Sequence, residues 1–141
     1  MAIGEKLWEG KGKGMPGFIK SVGMEGVKSV YSWEAMVKGM GKAMGVDGSI
    51  HVTAMSKNPP KGVASSKDQG IFNTITGDMA IVKGYDLMKM MMGSKPVSVG
   101  LWSFMTMSEK LGWMNDLIAL ITFEALDPMW MEFSIAIWEW K

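Results

Sequence analysis

The sequence predicts an all-β fold, a small closed antiparallel barrel of about eight strands with one short helical turn, and three observations carry that reading. Apolar residues recur at every second position in several segments, most clearly at Met129, Met131, Phe133, Ile135 and Ile137. Gly, Pro and Asp-Gly steps punctuate those segments at short intervals. Two stretches also place small residues at period two, which points to sharp coiling or to large rings lying over bare backbone.

The elements follow in chain order. Gly10, Gly12 and Gly14 share one face near the start. Lys28 to Met44 reads as a strand, with Gly39, Gly41, Ala43 and Gly45 at period two towards and just past its end, and it pairs with Gly48 to Met55 across Val46-Asp47-Gly48, where Asp-Gly is a hairpin signal. Lys57 to Lys67, with Asn58-Pro59-Pro60, reads as a loop. Gln69 to Thr76 and Asp78 to Met90 are strands around Gly77-Asp78, and Val97 to Met107 is another after Pro96. Ser108 to Asn115 is a short helical turn, with Ser108 as its N-cap and Glu109 near its positive end. Leu117 to Leu126 and the last strand then form a hairpin across Asp127-Pro128. The expected core includes Leu111, Trp113, Leu117, Phe123, Phe133, Ile135 and Ile137. The chain of 141 residues shows no composition break, so 1–141 is read as one β-barrel domain.

Composition excludes several functions. All 15 basic residues are Lys, so no guanidinium fork is present for phosphate or guanine edges, and 14 carboxylates nearly cancel them; no nucleic-acid partner is expected. There is no Cys, which removes thiolate nucleophiles, disulfides, zinc fingers and iron–sulfur clusters. Met1 to Gly10 carries Glu5, Lys6 and Glu9 among short apolar pieces, unlike a signal peptide, and a cytoplasmic location is expected. The longest apolar run, Leu117 to Phe123, is less than half the ~20 residues of a membrane helix, so no membrane partner is expected either.

The short motifs offer little chemistry. Gly12-Lys13-Gly14-Met15-Pro16-Gly17 spells GxGxxG, but no apolar strand precedes it, no helix follows, and Pro16 lacks the amide a pyrophosphate would need. Gly41-Lys42 precedes Ala43, not Ser or Thr, so it is no Walker loop. No cofactor is implied. Met88, Met90, Met91, Met92, Met105, Met107, Met129 and Met131 could bring thioethers together for Cu(I), but such spacing belongs to any methionine-rich core or apolar pocket wall, and no metal is assigned.

An acid inside an apolar strand is more informative than one in a loop, because an isolated buried carboxylate costs several kcal/mol or takes up a proton. Glu132 and Glu124 fit that description, with facing solvent or pairing to a lysine such as Lys83 as the plainer account; Asp78 and Tyr85 are weaker candidates. His51, the single histidine, is the remaining proton-transfer candidate. The candidate ligand wall is Trp102, Trp130, Trp138, Tyr85 and Met105.

Ser108-Glu109-Lys110-Leu111 with Trp113 and Asn115, the Gly77-Asp78 pair, Phe123-Glu124 and the ending Trp138-Glu139-Trp140-Lys141 resemble small uncharacterised prokaryotic proteins over roughly the last half of the chain. Those proteins look like the allene-oxide-cyclase or calycin type of β-barrel. The resemblance implies a fold that binds apolar molecules and sometimes isomerises or cyclises them; no catalytic residue transfers with it. The function expected is therefore non-catalytic binding of a small apolar molecule in a cavity lined by Met and Trp. An isomerase or cyclase of the same barrel and a structural or assembly protein are the alternatives. Both faces of the last strand and of Val97 to Met107 are rich in large apolar groups, so a homo-oligomer is expected, with Trp102, Trp130 and Trp138 as its anchors.

Overall fold

Inward and outward residues alternate along most of the sheet, and pairing of its first and last strands closes it on itself. The computed structural model describes residues 2–89 and 95–141. Its strands are β1 (Ile3–Gly23), β2 (Gly26–Gly39), β3 (Gly48–Asn58), β4 (Ala64–Thr74), β5 (Met79–Lys89), β6 (Val97–Met105), β7 (Ile118–Ala125) and β8 (Glu132–Trp140). Each pairs antiparallel with the next in sequence, and β1 pairs with β8 to complete a closed barrel in the order 1 to 8. The seam runs from Ile3 to Lys13 of β1, and the rest of β1, to Gly23, pairs with β2 alone.

Glycines make the seam possible. Gly12 lies opposite Phe133 across β1 and β8, and a β-carbon there would stand 2.4 Å from Phe133 Cζ and 2.5 Å from the Glu34 carbonyl oxygen. The ring therefore lies over bare backbone, as the period-two glycines predict. Inward positions such as Trp33, Ala35, Ile50, Val52, Phe72, Val82, Ala119, Ile121, Phe133, Ile135 and Ile137 fill the interior.

One end of the barrel is plugged. Trp8 donates its indole N–H to the Val46 carbonyl oxygen at 2.8 Å, stacks on Trp113 at 5.8 Å and meets Phe72 edge-on at 5.5 Å. Leu111, Met114 and Leu117 are buried there as well. Two short 3-10 turns, Gly41–Ala43 and Gly112–Asp116, are the helical content among the described residues. Ser108 accepts the Leu111 N–H at 3.3 Å and donates to Asp78 at 2.8 Å, but the short helix begins only at Gly112 after Leu111, so Ser108 braces the turn before it and does not cap it as the sequence suggests. Asn115 holds both the N–H and the carbonyl oxygen of Thr106. The Gly77-Asp78 and Ser108–Leu111 motifs are thus two halves of one clamp across the plugged end.

Several boundaries differ from the sequence reading. The strand read as Lys28 to Met44 stops at Gly39, because Gly41 and Gly45 adopt φ of +57° and +83° and turn the chain into the plug. Asp47 accepts the Gly39 N–H at 2.9 Å and braces a longer β2–β3 connection than a tight Asp-Gly turn. The Pro59-Pro60 loop is confined to 59–63, since β3 runs to Asn58 and β4 starts at Ala64. Met129 and Met131 belong to the loop before β8, where Asp127 accepts the backbone N–H groups of Met129, Met131 and Glu132. Met90 to Met92 lie outside the described residues. Of the expected core, Trp113 is half-buried and the other six are buried.

Candidate functional site

The end opposite the plug is open, and a cavity of about 510 Å³ enters the barrel there. Tyr31 and Trp33 of β2, Phe123 of β7, Phe133 of β8 and Trp130 of the preceding loop form its aromatic wall, and Met15, Met88, Met129 and Met131 contribute sulfur. The rings touch in sequence: Trp130 lies 6.2 Å from Phe133, Phe133 5.4 Å from Trp33, and Trp33 stacks at 5.7 Å on Trp102. Trp130 sits at φ +57°, a left-handed conformation that crowds a β-carbon and is held here by the loop around it.

Beneath the rings lie two acids. Ser66 and Asp68 of β4 and Asp86 of β5 face inward, and Ser66 is the register partner of Asp86. Asp68 accepts hydrogen bonds from the Ser66 hydroxyl at 3.2 Å and from the Trp102 indole N–H at 3.2 Å. Ser66 also stands 3.4 Å from Asp86 Oδ2, between the two carboxyls. Gly84 and Gly100 make room: β-carbons there would meet Trp102 Cδ1 at 2.3 Å and Asp86 Oδ1 at 1.7 Å respectively.

Electrostatics follows from this packing. Burial, then a hydrogen bond with Asp68 and the charge of Asp68, push the Asp86 carboxyl up to about 9, so it is protonated at neutral pH. Asp68 has donors to both oxygens, whereas Asp86 Oδ1 is buried with no partner among the described residues, so the hydrogen-bond pattern places the shared proton on Asp86. The Tyr31 hydroxyl is raised to about 12 by burial and by Asp68, and remains neutral. The cavity lining contains no Lys, Arg or His among the described residues. Such a pair offers a neutral acid beside a second carboxyl group at the floor of the cavity.

The residues singled out from the sequence are dispersed. Glu132, Glu124 and His51 are all exposed; His51 lies on the outer face beside Glu34, its Nδ1 3.4 Å from Glu34 Oε2. Their parity is outward, since Phe133, Phe123 and Val52 take the inward positions beside them. Trp130 lines the cavity. Trp102 is buried in the barrel and holds Asp68 from below, so it is not an interface anchor. Trp138 is on the outer face under the Lys6 ammonium, and Tyr85 and Met105 are exposed outside, being partners of Leu101 and Ile81 on outward positions. Met105 and Met107 are likewise exposed, apart from the sulfurs at the cavity mouth. Among the described residues no group of three or more His, Cys, Asp or Glu is placed to hold a metal.

Asp68 and Asp86 were the signals not read. Asp68 falls between the Lys57 to Lys67 loop reading and a strand begun at Gln69, although the alternation Ala64, Ser66, Asp68, Gly70, Phe72 already aims it at the core. Asp86 is harder, because β5 carries Ile81, Tyr85 and Leu87 outward and Ala80 and Val82 inward, so neither face is polar enough to be told from the other.

No protein-family model matches the chain, and no curated relative matches it. Solved structures do. A protein of unknown function from Clostridium acetobutylicum is similar with a TM-score of 0.83 at 11% identity, covering 100% of both chains. A β-barrel-like protein from Acinetobacter baumannii is similar at 0.78 and 15%, covering 99% of this chain and 96% of its own. An enzyme from Penicillium herquei is similar at 0.68 and 17%, covering 96% and 92%. At these identities the likeness shows the fold: a small closed eight-stranded antiparallel barrel shared by proteins of unknown function and one enzyme.

Proposed function

We propose that this barrel binds a small, mainly apolar molecule in its open-ended cavity. The observation that carries the reading is the cavity itself, about 510 Å³ with walls of aromatic rings and methionine sulfurs over a short polar floor. The resemblance to allene-oxide-cyclase or calycin barrels accords with this use of the interior, as does a cytoplasmic site of action for a chain without cysteine. The test is solvent extraction and mass spectrometry of the purified protein, with titration of an uncharged dye such as Nile red. A co-purifying compound, or saturable dye binding that the compound displaces, is expected. A folded protein that carries nothing and binds no dye overturns the reading.

An isomerase or cyclase is the second reading, and the Asp68–Asp86 pair is the observation favouring it. Glu132, Glu124 and His51 are too exposed to serve, whereas Asp86 combines a held proton with a place on the cavity lining. Conversion of the extracted compound by wild type but not by Asp86→Asn is the outcome this reading requires.

A further inference from the structure

We propose that the ligand of this cavity is a cation on an apolar body, an alkylammonium group held between the aromatic wall and the Asp86 carboxyl. The inference rests on the cavity being a ligand site. Asp86 is on its lining, is 6% exposed, and leaves Oδ1 without a partner among the described residues. The acid pair holds one proton, and that proton lies between the carboxyls, in the hydrogen bond that joins Asp86 to Asp68. Oδ1 is therefore an open acceptor, and it calls for a donor.

Charge decides which donor. Two carboxyls sharing one proton carry one net negative charge, and the ion pairs found among the described residues, Lys6–Glu9, Lys42–Glu139, Lys141–Glu139 and His51–Glu34, include neither acid. The lining adds no Lys, Arg or His among the described residues. Buried charge without a counter-ion is costly, so an occupant that brings a positive charge gains more than one that brings a hydroxyl alone. The wall favours the same choice. Tyr31, Trp33, Phe123, Trp130 and Phe133 supply aromatic rings, whose faces attract cations, those of Trp most strongly. A ligand carboxylate or phosphate would instead meet the pair with nothing to offset either charge. The other unpaired buried group on the lining, Trp130 Nε1, is a donor; it takes an acceptor oxygen on the ligand and does not choose among charges at Asp86.

A matched series tests this: 2-naphthylmethylamine, which is protonated at pH 7, 2-naphthylmethanol and 2-naphthoate, each titrated into the folded protein by calorimetry. We expect the ammonium to bind about tenfold tighter than the alcohol, the worth of a hydrogen bond strengthened by charge after the cost of desolvation. That advantage should vanish in the double variant Asp68→Asn/Asp86→Asn, which keeps the shapes and removes the charge. A fourth compound, (2-naphthylmethyl)trimethylammonium, carries a charge that does not titrate and so reads the pair through pH. The titratable groups facing Asp86 are Asp68 from β4 and Tyr31 from β2, while β6 presents only Gly100. Tyr31 keeps its proton until about 12, so a change near pH 9 belongs to the carboxyl pair. The pair gains its second negative charge as pH rises through about 9, so the trimethylammonium compound should bind severalfold tighter above that value than at pH 7 in wild type, and equally at both in Asp86→Asn. This comparison decides the matter if the double variant does not fold. Equal binding of ammonium and alcohol overturns the inference while leaving the cavity reading intact, as does tightest binding of the naphthoate or a trimethylammonium affinity that ignores pH. Failure of all four to bind folded protein overturns the cavity reading and the inference with it.

Discussion

Asp86 and Gly100 form a couple in which one residue explains the other. A carboxyl can be turned inward at position 86 because the facing residue on β6 has no side chain. Gly100→Ala would place a methyl 1.7 Å from Asp86 Oδ1 and 2.5 Å from the Tyr85 carbonyl oxygen, and backbone cannot step aside as a side chain can. Overpacking of this kind costs ~1 to 3 kcal/mol, readable as a lowered midpoint in denaturant. The acid itself has a pH signature. Its folded-state value is raised above that of the unfolded chain, so the folded protein binds an extra proton between about pH 4 and 9; stability is fully present below that window and declines as pH rises through it. Asp86→Asn removes the titration. Its thermal midpoint is expected to exceed that of wild type at pH 8 and to fall less between pH 5 and 8; an unchanged pH profile would show that Asp86 is ionised in the folded protein.

The elements show the same logic at greater length. Phe133 on β8 lies over Gly12 of β1 and meets Trp33 and Phe123 edge-on, so Phe133→Ala is expected to cost ~3 to 5 kcal/mol, and a loss below ~1 kcal/mol in denaturant titration would contradict this packing. The loop before β8 depends on Asp127 instead. Partial desolvation pushes its carboxyl up, but backbone N–H groups of Glu132, Met131 and Met129 outweigh that and hold it below its ordinary value. Its contribution is present above the ordinary Asp range near ~4 and is lost as pH falls through the lowered folded value. Asp127→Ala should lower the thermal midpoint at pH 7, with the gap to wild type closing in acid. What the sequence reveals depends on what fills the inward positions. β8 was legible because Phe133, Ile135 and Ile137 point in. β1 showed only its glycines, because Gly10, Gly12 and Gly14 stand where apolar side chains would otherwise mark a strand, and its length from Ile3 to Gly23 went unread. The acid pair was hidden for a related reason: its partnership arises from register between β4 and β5, which no single strand pattern contains.

At the scale of the whole molecule, the barrel presents apolar groups outward on adjoining strands. Tyr85 and Leu87 of β5 face Leu101 and Val99 of β6, and all four are exposed. If a second copy covers this face, light scattering at micromolar concentration gives a homo-oligomer and Leu101→Lys gives a monomer; a monomeric wild type removes the oligomer from consideration. Trp138→Lys is a milder challenge, because that ring is partly covered by Lys6 already. The order of the strands has one more consequence, for how the chain reaches this state. Every pairing except the seam joins neighbours in sequence, so hairpins form by closing short loops, while β1 meets β8 only after the entire sheet has curled round. The seam is then the last contact made and the first released: substitutions that weaken it, such as Phe133→Ala, should speed unfolding far more than they slow folding, whereas changes within the β3–β4 hairpin should act on the folding rate.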